Sequence, residues 1–149
     1  MINKPKADNL YRLETFVTII LTGFNENPEE ITKLIGVSPT STGLKGEPNP
    51  ALKNVRLVNR ENLWHLDSSL PKERTLQDHI NSLIKILQPH QESFLAIAKT
   101  CEAELYIATY FDFATPTITI PPQTLSQLSR YGLGERLDLF FVGAEVATT

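Results

Sequence analysis

The chain has 149 residues, of which 41% are hydrophobic and 21% are charged, and its formal net charge is -3. This composition is that of an ordinary globular protein, and it excludes the disordered, collagenous and membrane-spanning classes. The negative net charge argues against nucleic acid or an anionic membrane as a partner. The polar N-terminus lacks a leader peptide's apolar stretch. We therefore expect a soluble cytoplasmic protein with a single domain, residues 1–149.

The first third of the chain predicts a strand, a short helix and a long loop. After a polar lead-in over residues 1–12, the β-branched and aromatic residues of 13–24 predict a strand whose odd positions face the core. A helix begins at Pro28 and ends at Gly36, because proline suits the first helical position and glycine the position after the last. The glycines and prolines of residues 36–53 then predict a long irregular loop.

Residues 54–67 show the pattern of a hairpin made of two short strands. Val55 and Leu57 are the expected inward side chains of its first strand, and Trp64 and Leu66 those of its second. We therefore expect Trp64 to be buried.

The clearest helical period in the sequence covers residues 75–88. Pro89 interrupts it, and the apolar spacing continues in a second helix to about residue 100. Cys101 continues that apolar stripe, which predicts an inert, buried thiol. His79 and His90 are expected to be exposed on these helices.

The C-terminal third predicts a strand, a second strand, a helix and a closing strand. The two strands are residues 104–113 and 117–120, the helix begins at Pro122, and the closing strand is residues 136–142. The inward side chains expected on the closing strand are Leu137, Leu139 and Phe141.

The element order βαββααββαβ favours an α+β fold, because hairpins interrupt the strict alternation that a parallel sheet requires. We expect a mainly antiparallel sheet with its helices packed on one face, an arrangement similar to the ferredoxin-like fold.

Short motifs are spread over both halves of the chain. They are Gly36-Val37-Ser38-Pro39-Thr40, Lys45-Gly46-Glu47, Trp64 with Ser68-Ser69, Tyr110-Phe111, Pro122-Gln123-Thr124-Leu125, Tyr131-Gly132-Leu133 and Leu137-Asp138-Leu139. Through these motifs, over roughly residues 14–143, the sequence resembles the bacterial domain-of-unknown-function family numbered 4279. The resemblance implies a compact soluble domain and transfers no catalytic residue.

No residue cluster has the spacing of a catalytic or metal-binding motif. The three histidines form no HExxH pattern, and Ser68 lacks the glycines of a nucleophile elbow. We therefore assign no catalytic residue, metal or cofactor, and the sequence leans against an enzyme without deciding the question.

Residues 45–60 carry a local charge of +3 in an otherwise acidic chain. Basic side chains on an edge strand discourage aggregation, and they also suit an anionic small molecule, which a binding domain or an enzyme could take. The candidate anion-binding residues are Lys45, Lys53, Arg56 and Arg60.

The even positions of the predicted strands are too apolar for a solvated sheet face. They predict either a face covered by the chain itself or an interface. The candidate interface residues are Phe16, Ile20, Tyr106, Tyr110 and Phe140.

Three functions remain open. The first is a non-enzymatic protein-interaction module that forms a homodimer or binds a dedicated partner, as an immunity-type protein binds a toxin. The second is a domain for an anionic small molecule at residues 45–60. The third is an RNA-binding sheet with stacking aromatic side chains, against which the net negative charge argues.

Overall fold

The structure, a computed structural model, describes residues 12–49, 57–113 and 116–143. Strands and helices alternate irregularly along these residues, and a 3-10 turn at Gln88–His90 joins the second helix to the third. The fold is α+β, as predicted. Its elements in chain order are β1 (Leu13–Thr22), α1 (Pro28–Ile35), β2 (Ser41–Gly43), β3 (Leu63–Asp67), α2 (Leu76–Leu87), α3 (Gln91–Ala98), β4 (Glu102–Phe111), α4 (Pro122–Arg130) and β5 (Gly134–Phe141).

The strands form one sheet in the order β2-β3-β1-β4-β5. The first three junctions are antiparallel, with Ile19 of β1 opposite both Leu66 of β3 and Leu105 of β4. The last junction is parallel, and α4 lies in the β4–β5 connection, as a parallel crossover requires. The predicted mainly antiparallel sheet is therefore confirmed.

The core lies on one face of the sheet, formed by odd-numbered residues of β1 and β4 and even-numbered residues of β3. Side chains alternate across a strand, so Val17, Ile19 and Leu21 of β1 are buried on the face that carries Leu105 and Ile107 of β4. All four helices contribute buried side chains to this core, and α1 and α2 pack against β3 and β1, the middle of the sheet. The helical contributors are Ile31, Ile35, Ile80, Leu83, Leu87, Phe94, Ala98 and Leu128.

Local signals in the sequence explain where α1 and α2 begin and where α1 ends. The side chains of Asn27 and Thr75 accept hydrogen bonds from the first-turn amides of α1 and α2. Gly36 ends α1 with φ +86°, and a Cβ atom there would lie 3.0 Å from Nδ1 of His90. Glycine is therefore required at this position by both its backbone conformation and the space available.

Trp64 links the sheet to the first helix. Its side chain is fully buried, which confirms the prediction, and its Nε1–H donates to Oγ1 of Thr32 at 3.0 Å. The Thr32 hydroxyl in turn donates to the carbonyl oxygen of Pro28 at 3.2 Å. The indole therefore fills the core without leaving its N–H unpaired.

Two predictions for the C-terminal third were wrong. Residues 117–120 form no strand, because Pro116, Pro121 and Pro122 on either side lack the amide N–H that a ladder uses, and β5 takes the place beside β4. The three expected inward residues of β5 are exposed, because β5 is the edge strand and the helices pack against the middle of the sheet. The exposed fractions are 43% for Leu137, 44% for Leu139 and 67% for Phe141.

The predicted loop and hairpin are also corrected. Residues 36–53 are not wholly irregular, because residues 41–43 form β2, which pairs with β3 in the place expected for the first strand of the hairpin. Of that expected strand, Val55 lies outside the described residues. Leu57 is exposed instead of inward, and its neighbour Val58 forms only an isolated bridge with Pro48.

We expect Trp64→Ala to lower the free energy of unfolding by about 3 to 5 kcal/mol, since it removes a large buried side chain and leaves a cavity. Urea denaturation followed by circular dichroism measures this change. A loss below about 1 kcal/mol would contradict the central place of Trp64 in the core.

Candidate functional site

The sheet has a second face, which we call the open face: the even-numbered residues of β1, β4 and β5 together with the odd-numbered residues of β3. Register places Phe16 opposite Ala108, Thr18 opposite Tyr106, and Tyr110 opposite Phe140. The parity argument thus placed all five candidate interface residues on one face, opposite the helices. Their role as an interface stays a prediction. The five are Phe16, Ile20, Tyr106, Tyr110 and Phe140.

Three aromatic side chains form a row across the open face, which we call the aromatic row. The rings of Phe16 and Tyr110 meet edge to face, with centroids 5.7 Å apart and an angle of 87°. Tyr110 stacks on Phe140 at 4.8 Å and 18°. Phe16 is nevertheless 44% exposed and Phe140 38% exposed. The rings hold one another in place and still present apolar surface to solvent.

Beside the aromatic row lies a shallow depression of about 360 Å³. Tyr106 borders it, and the guanidinium of Arg136 lies 4.6 Å from the centre of the Tyr106 ring. The Tyr106 hydroxyl donates to Oδ2 of Asp138 at 2.8 Å. Burial, together with this hydrogen bond, raises the pKa of Tyr106 above its ordinary value. The residues that line the depression are Arg12, Glu14, Phe16, Tyr106, Ala108 and Tyr110.

The basic groups of the open face already have acidic partners. Arg136 lies 3.5 Å from Glu104, and Arg12 lies 2.6 Å from Glu14. The hydrogen bond from Arg12 lowers the pKa of Glu14. Lys72 also contacts Glu14, at 3.4 Å. These pairs leave the open face without a surplus of positive charge.

Ile20 and the β3 end of the face differ from the aromatic row. Ile20 is half-buried between Glu104 and His65, its cross-strand neighbours. Burial lowers the pKa of His65, and the hydroxyl of Thr18 donates to Asp67 at 2.7 Å. This end is therefore more polar than the end that carries Phe16.

The predicted anion site is only partly described. Lys53 and Arg56 lie outside the described residues. Lys45 and Arg60 are both exposed on the connection between β2 and β3, and the backbone N–H of Lys45 donates to Oδ1 of Asn62. The described residues therefore show no cluster of the four cations.

The sequence analysis missed a buried pair formed by Ser68 and His79. Oγ of Ser68 lies 2.5 Å from Nδ1 of His79, and both side chains are buried, so the expectation of an exposed His79 was wrong. The helical period explains the burial of His79. His79 lies three residues after Leu76 and four before Leu83, so the three side chains share one side of α2. The pair ties α2 to the end of β3. Because solvent reaches neither group, it offers no accessible nucleophile.

Cys101 is half-buried rather than fully buried, because it lies in the bend between α3 and β4 instead of within the helix. Its thiol donates to the carbonyl oxygen of Ile97. Burial raises the pKa of Cys101, and a protonated thiol is a poor nucleophile.

Burial also lowers the pKa of His79 below its ordinary value of 6.5. The unfolded chain therefore binds more protons than the folded protein just below pH 6.5, and stability is lost as the pH falls from 6.5 towards the folded pKa. We expect the free energy of unfolding to decrease less over this range in His79→Gln than in the wild type. Urea denaturation at pH 7.5, 6.5, 5.5 and 5.0 measures the difference, and equal slopes would contradict it.

Among known proteins, the chain matches one family, and its helices are not of the membrane-spanning kind in the described ranges. None of the helices in the described ranges has the length and apolar character needed to cross a membrane. No curated protein and no solved structure matches the chain. The family Domain of unknown function (DUF4279) matches residues 13–141, which include every strand and helix described above. The chain therefore belongs to the DUF4279 family.

Proposed function

We propose that this protein is a non-enzymatic interaction module that binds a protein partner through its open face. The observation that carries the proposal is the aromatic row, in which Phe16 and Phe140 stay 44% and 38% exposed although ordered ring contacts join them through Tyr110. Aromatic side chains held in fixed positions lose little freedom on binding, and such residues commonly anchor protein interfaces.

The charge around the aromatic row indicates the chemistry of the partner. The strands of the open face carry five carboxylates, whereas Arg136 is the one arginine or lysine that these strands contribute to it. A partner with an apolar centre and a basic rim would complement this arrangement. The five carboxylates are Glu14, Asp67, Glu102, Glu104 and Asp138.

The same charges weigh against the RNA-binding alternative. A sheet that stacks nucleotide bases also needs cations for the phosphates, and the strands of the open face supply a single arginine, Arg136, among five carboxylates. The proposal therefore favours protein over nucleic acid.

We expect Phe16→Asp to weaken partner binding at least roughly tenfold, because it places a carboxylate in the centre of the apolar surface. The matched control is Leu34→Asp, since Leu34 is exposed on α1, on the helical side of the molecule. The partner is first captured by cross-linking from the source cells and identified. It is then purified, and its affinity for each variant is measured by calorimetry.

The control should bind within about twofold of the wild type, a difference well below a hot-spot loss. Equal affinities of the two variants would contradict the proposal. A purified ligand that proves to be RNA, with affinity falling by about 10³ or more between 50 and 200 mM salt, would favour the alternative instead.

A further inference from the structure

The outer edge of β5 is a second exposed surface, which adjoins the open face. β5 is the terminal strand of the sheet and runs for eight residues, from Gly134 to Phe141. Apolar side chains are exposed on both of its faces, among them Leu137, Leu139 and Phe140. A long edge strand of this kind is a template for pairing with another strand.

The hydrogen bonds to β4 show which backbone groups of β5 face outward. The N–H of Val142 donates to the carbonyl oxygen of Phe111 at 2.7 Å, so the even-numbered residues of β5 direct their backbone groups towards β4. In a parallel pair the intervening residues direct both N–H and C=O to the other side. The odd-numbered residues, including Leu137 and Leu139, therefore present a row of donors and acceptors at the edge.

We propose that two copies of this protein pair through β5, antiparallel, about a two-fold axis at Leu137. The pairing joins the two sheets into one continuous sheet. It uses the edge of the sheet and leaves Phe16 and Tyr110 of the aromatic row uncovered, so it goes beyond the function proposed above and does not depend on it.

Charge selects this register from the possible ones. Pairing about Leu137 places Arg136 of each copy opposite Asp138 of the other, so that two ion pairs form across the junction. Pairing about Asp138 would place two carboxylates opposite each other, and pairing about Leu139 would place Asp138 opposite Phe140. Directly opposed side chains of opposite charge stabilise an antiparallel pair, and like charges destabilise it.

Two further features fit the same register. Phe140 of one copy lies opposite Gly134 of the other, and an aromatic ring can cover the backbone that a glycine leaves bare. The Leu137 residues of the two copies lie opposite each other at the axis, where each backbone N–H donates to the carbonyl oxygen of the other copy. Asp138 can accept from Arg136 of the second copy while it holds the Tyr106 hydroxyl, because a carboxylate has about four acceptor sites.

Cysteine cross-linking tests the register directly. In a Cys101→Ser background, Leu137→Cys should form a disulfide-linked dimer under mild oxidation by copper phenanthroline, because its two Cα atoms lie about 5.5 Å apart across the axis. Leu139→Cys is the matched control, with nearly the same exposure. Its Cα atoms would be separated by about 14 Å, too far for a disulfide. A control that cross-links as well as or better than Leu137→Cys would overturn the proposal.

Charge reversal tests the pairing in solution. Arg136→Asp and Asp138→Arg should each raise the dimer dissociation constant at least roughly tenfold in sedimentation equilibrium, because each variant opposes like charges. A mixture of the two should dimerise about as well as the wild type, since every pair is then opposite in charge. Lys33→Glu, the control on α1, should leave self-association unchanged.

A second variant keeps the test decisive if a charge reversal unfolds the protein. Leu137→Pro removes an outward N–H and spares the amides that face β4, so it should abolish the dimer and leave thermal unfolding cooperative. Phe16→Asp should still dimerise, which separates this proposal from the open-face proposal. A wild type that stays monomeric at millimolar concentration, variants that dimerise as the wild type does, or a mixture that stays monomeric would overturn the pairing.

Discussion

The pairing of β1 with β4 is the constraint on which the rest of the structure depends. All ten residues of β1 have a partner, from Leu13 opposite Phe111 to Thr22 opposite Glu102. β1 also pairs with β3 on its other side, which makes it the central strand of the sheet. A shift of one residue would move Ile19 from the core to the open face, so burial of the odd positions holds the register.

This register separates the face that supplies stability from the face that we propose for recognition. On the core face, Trp64 satisfies its N–H through Thr32, and Ser68 and His79 tie the end of β3 to α2. On the even face, Phe16 and Tyr110 contact each other and remain accessible. Substitutions on the open face therefore remove few core contacts, and the surface can be altered without dismantling the fold.

β5 differs from the other long strands because, among the residues that the structure describes, it has a neighbouring strand on one side only. Its place beside β4 follows from the crossover through α4, whose buried Thr124 donates its hydroxyl hydrogen to Gln77 of α2 at 3.0 Å. Phe140 extends the aromatic row from β5, and Leu137 and Leu139 stand at the uncovered side of the same strand. One strand thus contributes to both proposed contact surfaces.

The sequence by itself determined the features that depend on neighbours along the chain. The caps at Asn27 and Thr75, the end of α1 at Gly36 and the alternation that buries Trp64 all follow from local conformation or from a period of two. The same alternation placed the five candidate interface residues on one face, because strand parity survives any order of strands in the sheet.

Only the tertiary structure decided which strands are neighbours and how far the helices reach over the sheet. Leu137 has the same apolar alternation as Val17, yet Val17 lies under the helices and Leu137 lies at the edge. The helical period already places His79 on the apolar side of α2, but only the tertiary structure brings Ser68, eleven residues away in sequence, against its ring. Burial depends on what packs against a strand or helix from elsewhere in the chain, and a local pattern does not contain that information.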